Sequence, residues 1–305
     1  MRHDPRLAYL LVNLSTLLWA GNITLGRALR GQVGPLTLTA ARVTIAGLLF
    51  VLLFARQSTA SRLPAAERRP GRDWPLLLAM ALTGVLGFPA LLYLALQFTT
   101  ASNASLINGT GPLMTAMLAA WLLREKLHTL QVVGALVSLA GVVLIIGSNG
   151  FGAKRGAAPN LGDLIMLANV ALWGLYSVMA RVVTRRRSTV SATAFSTWFA
   201  LPFLIPLALI ESGQTPPELS PNLMLAVLYI GVFPAFIAFL AWNEGIRRVG
   251  PTRAMAFYNM LPVFGALLGA IFLNEALGVG QVAGGALVIG GGLIGTSLWK
   301  FASKA

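Results

Sequence analysis

The sequence predicts an all-α polytopic membrane protein: ten transmembrane helices, arranged as two inverted five-helix repeats, with both termini cytoplasmic. Three observations predict it. Of the 305 residues, 56% are hydrophobic and only 10% are charged. An ordinary soluble domain carries roughly 25% charged residues, so too few polar groups remain here to coat a globule. The apolar residues form long unbroken runs, and about 18 or more in a row read as a membrane span. Finally, the two halves of the chain share a pattern at a near-constant offset.

Ten runs fall at roughly 7–28, 35–54, 75–97, 102–122, 128–148, 161–182, 190–210, 222–243, 252–272 and 278–298. The gaps carry breakers: RGQVGP after the first run, NGFGAKRGAAPN after the fifth and ESGQTPPELSP after the seventh. The longest gap, 55–74, is basic and polar. Helices are expected, because lipid offers no partner to a loose backbone amide. A barrel would need alternating polarity in segments of about ten residues, and these runs are continuous. The first run is too long for a signal peptide and is followed by many like it, so it reads as a span.

Charge sets the direction. With the N-terminus inside, 18 of the 23 Lys and Arg residues face the cytoplasm, four face outward and Arg42 lies within a span. Such a bias places both termini in the cytoplasm. The net charge of +14 does not point to nucleic acid, because the basic residues sit in short gaps between apolar runs rather than on one face. Cysteine is absent, which excludes a disulfide framework and a thiolate metal site.

The repeat appears pair by pair. At an offset of 150, Pro112 matches Pro262, Glu125 matches Glu275, Gln131 matches Gln281, Gly134 matches Gly284 and Gly141 matches Gly291. At an offset of 154, Trp19 matches Trp173 and Arg27 matches Arg181. This divides the chain into 1–150 and 151–305, five spans each. Five is odd, so the second copy enters the membrane from the opposite side, related to the first by a pseudo-twofold axis in the membrane plane. Two such halves in slightly different shapes open one side and close the other, which is alternating access.

Four stretches carry a family resemblance: LLWAGNITLGRAL, AARVTIAGLL, SLINGTGPLMTAMLAAWLLREKL and AMAFYNMLPVFGALLGAIFLNEAL. In their order and spacing the chain resembles the EamA-type members of the drug/metabolite transporter superfamily, over nearly its whole length. Within that group it looks most like bacterial exporters of aromatic amino acids. The resemblance implies an inner-membrane carrier that exports small metabolites by alternating access. Other metabolites, cationic drugs and a passive channel are the alternatives.

Candidate pathway residues follow from helical spacing. Ser15, Trp19 and Asn22 share a face of the first span, and Asn169, Trp173 and Tyr176 share the matching face of the sixth. Two readings stay open for their polar groups: lining of a pathway, or hydrogen-bonded glue between helices. Pro112 interrupts the fourth span beside Asn108, and Pro262 interrupts the ninth beside Tyr258. Pro89 and Pro234 repeat the theme within two FPA triplets, with Tyr93 one turn beyond Pro89. The expected substrate-binding set is Trp19, Asn22, Tyr93, Asn108, Trp173, Tyr176 and Tyr258, with Pro89, Pro112, Pro234 and Pro262 as kinks or gates. Rings suit a flat apolar side chain, and Asn22 and Asn108 suit its polar end.

Arg42 lies about two turns into the second span. A charge at that depth needs a partner or a wet cavity. Two roles stay open: attracting a substrate carboxylate, or satisfying backbone carbonyls, the latter being favoured. The carboxylates Glu125, Glu275, Asp163 and Glu244 lie near span ends, so facilitated or weakly coupled transport is expected rather than strict proton coupling. No catalytic constellation, metal motif or cofactor motif is visible, and GSNGFG lacks the lysine of a nucleotide loop. The expected partners are a small-molecule substrate and the lipid bilayer. The glycines of the last span, Gly284 and Gly291 among them, either pack the bundle or join two protomers.

Overall fold

Among the described residues, helices form within the apolar runs. A computed structural model of the chain describes residues 5–59, 64–124, 127, 129–151, 160–249, 258 and 260–297, and every regular element among them is helical. The expectations about both termini, Glu125 and the start of the ninth run lie outside the described residues.

In the first half, α1 (Pro5–Ala28) and α2 (Pro35–Thr59) are followed by α3 (Trp74–Met80) and α4 (Phe88–Phe98), joined by a π-helical segment at Ala81–Gly87. Then come α5 (Ala101–Asn108), α6 (Gly111–Leu123) and α7 (Thr129–Phe151). In the second half, α8 (Leu161–Val183) and α9 (Thr189–Gln214) precede α10 (Pro221–Val232) and α11 (Ala238–Val249), joined by a π-helical segment at Phe233–Ile237. The described part ends with α12 (Met260–Leu273) and α13 (Val279–Ser297).

Among the described residues, seven helical stretches are long and apolar enough to cross a membrane: Pro35–Gln57, Gly71–Phe98, Ala101–Leu123, Thr129–Ile146, Leu161–Val183, Thr189–Gln214 and Pro221–Trp242. Met260–Leu273 and Val279–Ile294 are shorter apolar helices. Many large apolar side chains face outward, including Leu10, Leu48, Leu136, Leu209 and Phe272, as lipid contact requires. The protein is therefore an integral membrane protein.

The polar gap residues act as helix starts. Thr100, Asn160, Ser188 and Ser220 each accept a backbone N–H from the first turn of α5, α8, α9 and α10 respectively, which satisfies donors a helix start leaves open. Carboxylates from distant helices finish three starts. Glu211, near the end of α9, accepts from the Leu36 and Thr37 amides at 3.2 and 2.7 Å. Glu275, just after α12, accepts from the Ala101 and Ser102 amides, both at 2.9 Å. Glu67, in the gap after α2, accepts from the Ser188 amide at 2.8 Å. A negative charge beside a helix N-terminus is stabilising, through the macrodipole and through charge-assisted bonds.

Glycine sets the packing of α7 on α13, the most extensive helix pair in the fold. A Cβ at Gly141 would lie 2.5 Å from the Gly284 carbonyl oxygen, and one at Gly291 would lie 2.4 Å from that of Gly134. Between these contacts Ser138 Oγ donates to the Val288 carbonyl at 3.1 Å. Numbers rise along one helix as they fall along the other, so the two cross antiparallel. Gly284 and Gly291 of α13 thus pack the bundle from within.

Proline shapes the remaining helices in different ways. Pro89 lies two residues past the end of one π-helical segment and Pro234 lies inside the other. Such turns absorb the missing donor without ending the helix. At Pro112 the helix stops: α5 ends at Asn108, Gly109 and Thr110 form a turn, and α6 restarts at Gly111 with the proline in its first turn. A kink was expected there. The α-helical pattern lapses there because the Gly109 amide is shared between the Ser105 and Leu106 carbonyls and the Thr110 amide turns to Ile107, three residues back. Pro262 lies within α12.

Candidate functional site

Near the distorted turns, main-chain carbonyls accept hydrogen bonds from side chains of the opposite half. Asn169 of α8 donates through Nδ2 to the Phe88 carbonyl beside Pro89. Trp19 of α1 donates its indole N–H to the Pro234 carbonyl at 3.1 Å, and Ser15 Oγ reaches the Ala238 carbonyl at 2.9 Å. Ser15 and Asn169 therefore join helices. A carbonyl left unpaired in lipid would cost several kcal/mol, on the order of a lost hydrogen bond or more.

The rings meet in one cluster. Trp19 contacts Trp173 with centroids 6.3 Å apart and planes at 70°. It also contacts Phe239 at 5.8 Å, Trp242 at 5.3 Å and Tyr258 at 6.2 Å. Trp173 lies 5.0 Å from Phe88 and stacks on Tyr176 at 5.3 Å. Each is a separation at which aromatic pairs attract beyond simple area burial.

These rings enclose a cavity lined by Trp19, Asn22, Arg42, Phe88, Pro89, Asn108, Trp173, Phe239 and Tyr258, with Ile23, Gly84, Leu92 and Leu261 completing the wall. Its volume is ≈ 40 Å³, room for roughly three waters. A cargo of amino-acid size therefore requires the rings to part. Among the described residues, no carboxylate and no histidine stands in this lining.

Five of the seven residues expected to bind substrate, Trp19, Asn22, Asn108, Trp173 and Tyr258, stand in the wall. Tyr93 and Tyr176 do not. Tyr93 is 1% exposed and sits behind the wall, its hydroxyl donating to Asn22 Oδ1 at 2.7 Å. Tyr176 lies behind Trp173, against Gly84, where an added Cβ would meet the ring at 2.1 Å. Of the four prolines, Pro89 alone lines the cavity, and Pro262 packs against Gly109 at the break between α5 and α6. Phe88 and Phe239 were not anticipated. A phenylalanine in an apolar run carries no signal by composition, although Phe88 stands in the FPA triplet already singled out.

Arg42 is 6% exposed. Its Nη1 donates to the Tyr93 hydroxyl at 3.0 Å and to Asn22 Oδ1 at 3.4 Å. The expectation that it satisfies main-chain carbonyls is not met, since its bonds go to side-chain oxygens.

The wall draws on α1, α2, α4, α5, α8, α11 and α12, and the chain as a whole is similar to known proteins. A solved crystal structure aligns with 98% of this chain and 99% of its own, with a TM-score of 0.65 and 27% identity. The aromatic amino acid exporter YddG of Ancylobacter novellus is 30% identical over 92% of this chain and 94% of its own. An uncharacterized transporter of Archaeoglobus fulgidus is 28% identical over 93% and 95%. A probable terminal-alkyne amino-acid exporter of Streptantibioticus cattleyicolor is 24% identical over 91% and 89%. The signature of the EamA-like transporter family matches residues 6–147 and again 160–296. With nearly the whole chain so matched, the protein belongs to the EamA-like transporter family.

Proposed function

We propose that the protein exports aromatic or other hydrophobic amino acids across the inner membrane by alternating access. The observation that carries this reading is the cavity itself. Trp19, Trp173, Phe88, Phe239 and Tyr258 supply flat apolar faces, while Asn22, Asn108 and Arg42 supply polar groups within the same wall. A ring-bearing side chain with a polar end fits that division. Two of the relatives are named as amino-acid exporters, which points to the same class of cargo.

In this reading ten spans form two inverted repeats, with both termini cytoplasmic. Reciprocal contacts support it. Under a twofold relation at offset 150, Gly134 corresponds to Gly284 and Gly141 to Gly291. Gly141 touches Gly284 and Gly134 touches Gly291, which is the crossed pattern a twofold axis requires. Ser138 bonds its own counterpart, Val288, at the midpoint. Glu211 from beyond the middle of α9 caps α2, while Glu67 from the gap after α2 caps α9. The two matches to the family signature fall one on each half.

The test is counterflow in liposomes. Preloading with unlabelled L-phenylalanine or L-tryptophan should accelerate uptake of the labelled compound several-fold over empty vesicles, without an imposed pH gradient. Uptake that is linear in concentration and indifferent to preloading would reveal a pore instead, and no uptake of any aromatic amino acid would remove the proposed cargo.

A further inference from the structure

Within that cargo class, Arg42 presents an unspent half of its guanidinium. We infer that Arg42 is the carboxylate anchor of the cavity, with the Asn108 carbonyl oxygen receiving the substrate ammonium, so that the site reads zwitterions and rejects amines that lack a carboxylate. This rests on the proposed transport of aromatic amino acids and adds the part of the molecule that is recognised.

A guanidinium has five N–H donors in a rigid fork. Arg42 uses Nη1, which bonds Tyr93 and Asn22. Its Nε is buried and has no hydrogen-bond partner. Nη2 likewise bonds none of the described residues, so the Nε–Nη2 edge stands free. That edge is the one that grips a carboxylate through two parallel bonds. No carboxylate of the described residues forms an ion pair with Arg42. The Tyr93 ring, 5.9 Å from the guanidinium carbon, offers a weaker cation–π contact.

A charge buried without a counter-charge is costly, and in a membrane such groups mark substrate or ion pathways. The second half of the site has the opposite polarity. Asn108 is 3% exposed, and its Oδ1 is buried without a partner. Arg42 and Asn108 line one cavity: one lacks an acceptor and the other lacks a donor. An α-amino acid supplies both. The chain from Arg42 to Tyr93 to Asn22 holds the guanidinium in place, each bond polarising the next. It also gives Tyr93 a positioning role from behind the wall.

The experiment compares three ligands that share a phenyl ring: L-phenylalanine, phenethylamine without the carboxylate, and 3-phenylpropanoate without the amine. Binding to the purified full-length protein is read by thermal shift and by competition with labelled phenylalanine in liposomes. The wild type should bind phenethylamine at least tenfold more weakly than phenylalanine. Arg42→Gln should bring the two toward parity, and Arg42→Lys should keep part of the preference. Asn108→Ala should weaken phenylalanine while leaving 3-phenylpropanoate unchanged. Should Arg42→Gln fail to fold, the wild-type preference decides alone. Equal binding of phenylalanine and phenethylamine by the wild type, or an undiminished preference in a folded Arg42→Gln, overturns the anchor and leaves aromatic transport standing. If none of the three binds or competes, the anchor and the cargo class fall together.

Discussion

Replacing Trp173 by alanine should lower aromatic amino-acid flux by about tenfold or more while the protein still inserts and folds. Trp173 touches Trp19, Phe88, Tyr176 and Phe239 and forms part of the cavity wall. Each aromatic contact contributes about 0.5–1.5 kcal/mol beyond area burial, so losing one or two to a bound ring suffices for a factor of ten in affinity. Trp198→Ala is the control. Trp198 packs on Phe54 and Phe195 and donates to the Gly47 carbonyl at 3.2 Å, yet it is not in the lining. It loses comparable packing without touching cargo. Initial rates in liposomes, normalised to inserted protein, separate the two. Near-wild-type flux for Trp198→Ala beside a collapse for Trp173→Ala supports the binding role. An equal fall in both would make Trp173 structural.

Introducing leucine at Gly141 should be the most damaging single change to stability. Its Cβ would meet the Gly284 carbonyl oxygen at 2.5 Å and the Val288 amide nitrogen at 2.9 Å. Both are backbone atoms of α13, which cannot rotate aside as a side chain can. Overpacking costs about 1–3 kcal/mol even where neighbours yield, so the loss here belongs at the upper end or beyond, with an unfolding temperature lower by several degrees. Gly290→Leu makes the same chemical change in the partner helix α13, and nothing lies within 4 Å of a Cβ there. Thermal unfolding in detergent should therefore separate Gly141→Leu sharply from Gly290→Leu. Similar values for both would mean that α7 and α13 do not approach as closely as their glycines imply.

The helices were legible because lipid imposes a harsh rule: about 20 apolar residues, with every backbone group satisfied internally. Glycine pairs such as Gly134 and Gly284 were legible as a repeat, but their crossed contacts, Gly134 with Gly291 and Gly141 with Gly284, were not, since sequence gives periodicity and not partner choice. Proline in the FPA triplets announced a distortion without its form. The outcome, a π-helical turn at Pro89 and Pro234 but a break at Pro112, depends on which nearby amides can find other carbonyls. At Pro112 the small Gly109 and the Thr110 hydroxyl, bonded to the Ile107 carbonyl at 2.8 Å, make stopping cheaper than bending.

In the cavity, Trp19 and Trp173 stood out because a tryptophan at mid-depth is rare enough to need a reason. Tyr93 and Tyr176 carried the same signal and stand one layer back, because helical spacing gives direction but not distance from the axis. Arg42 was visible as a lone charge in a span. Its bonds to Tyr93 and Asn22 required three helices to be placed together, α1, α2 and α4, which no local pattern encodes.

The central claim is that two equivalent five-helix modules thread the membrane in opposite directions around one chamber. The chain contains no cysteine, so single cysteines report without background. Arg30 lies between α1 and α2, Arg185 lies between α8 and α9, and both are exposed. They occupy corresponding loops of the two modules. In intact spheroplasts a membrane-impermeant maleimide should label Arg30→Cys at once and Arg185→Cys only after permeabilisation. Labelling of both from the same side would contradict opposed modules and the alternating-access scheme built on them.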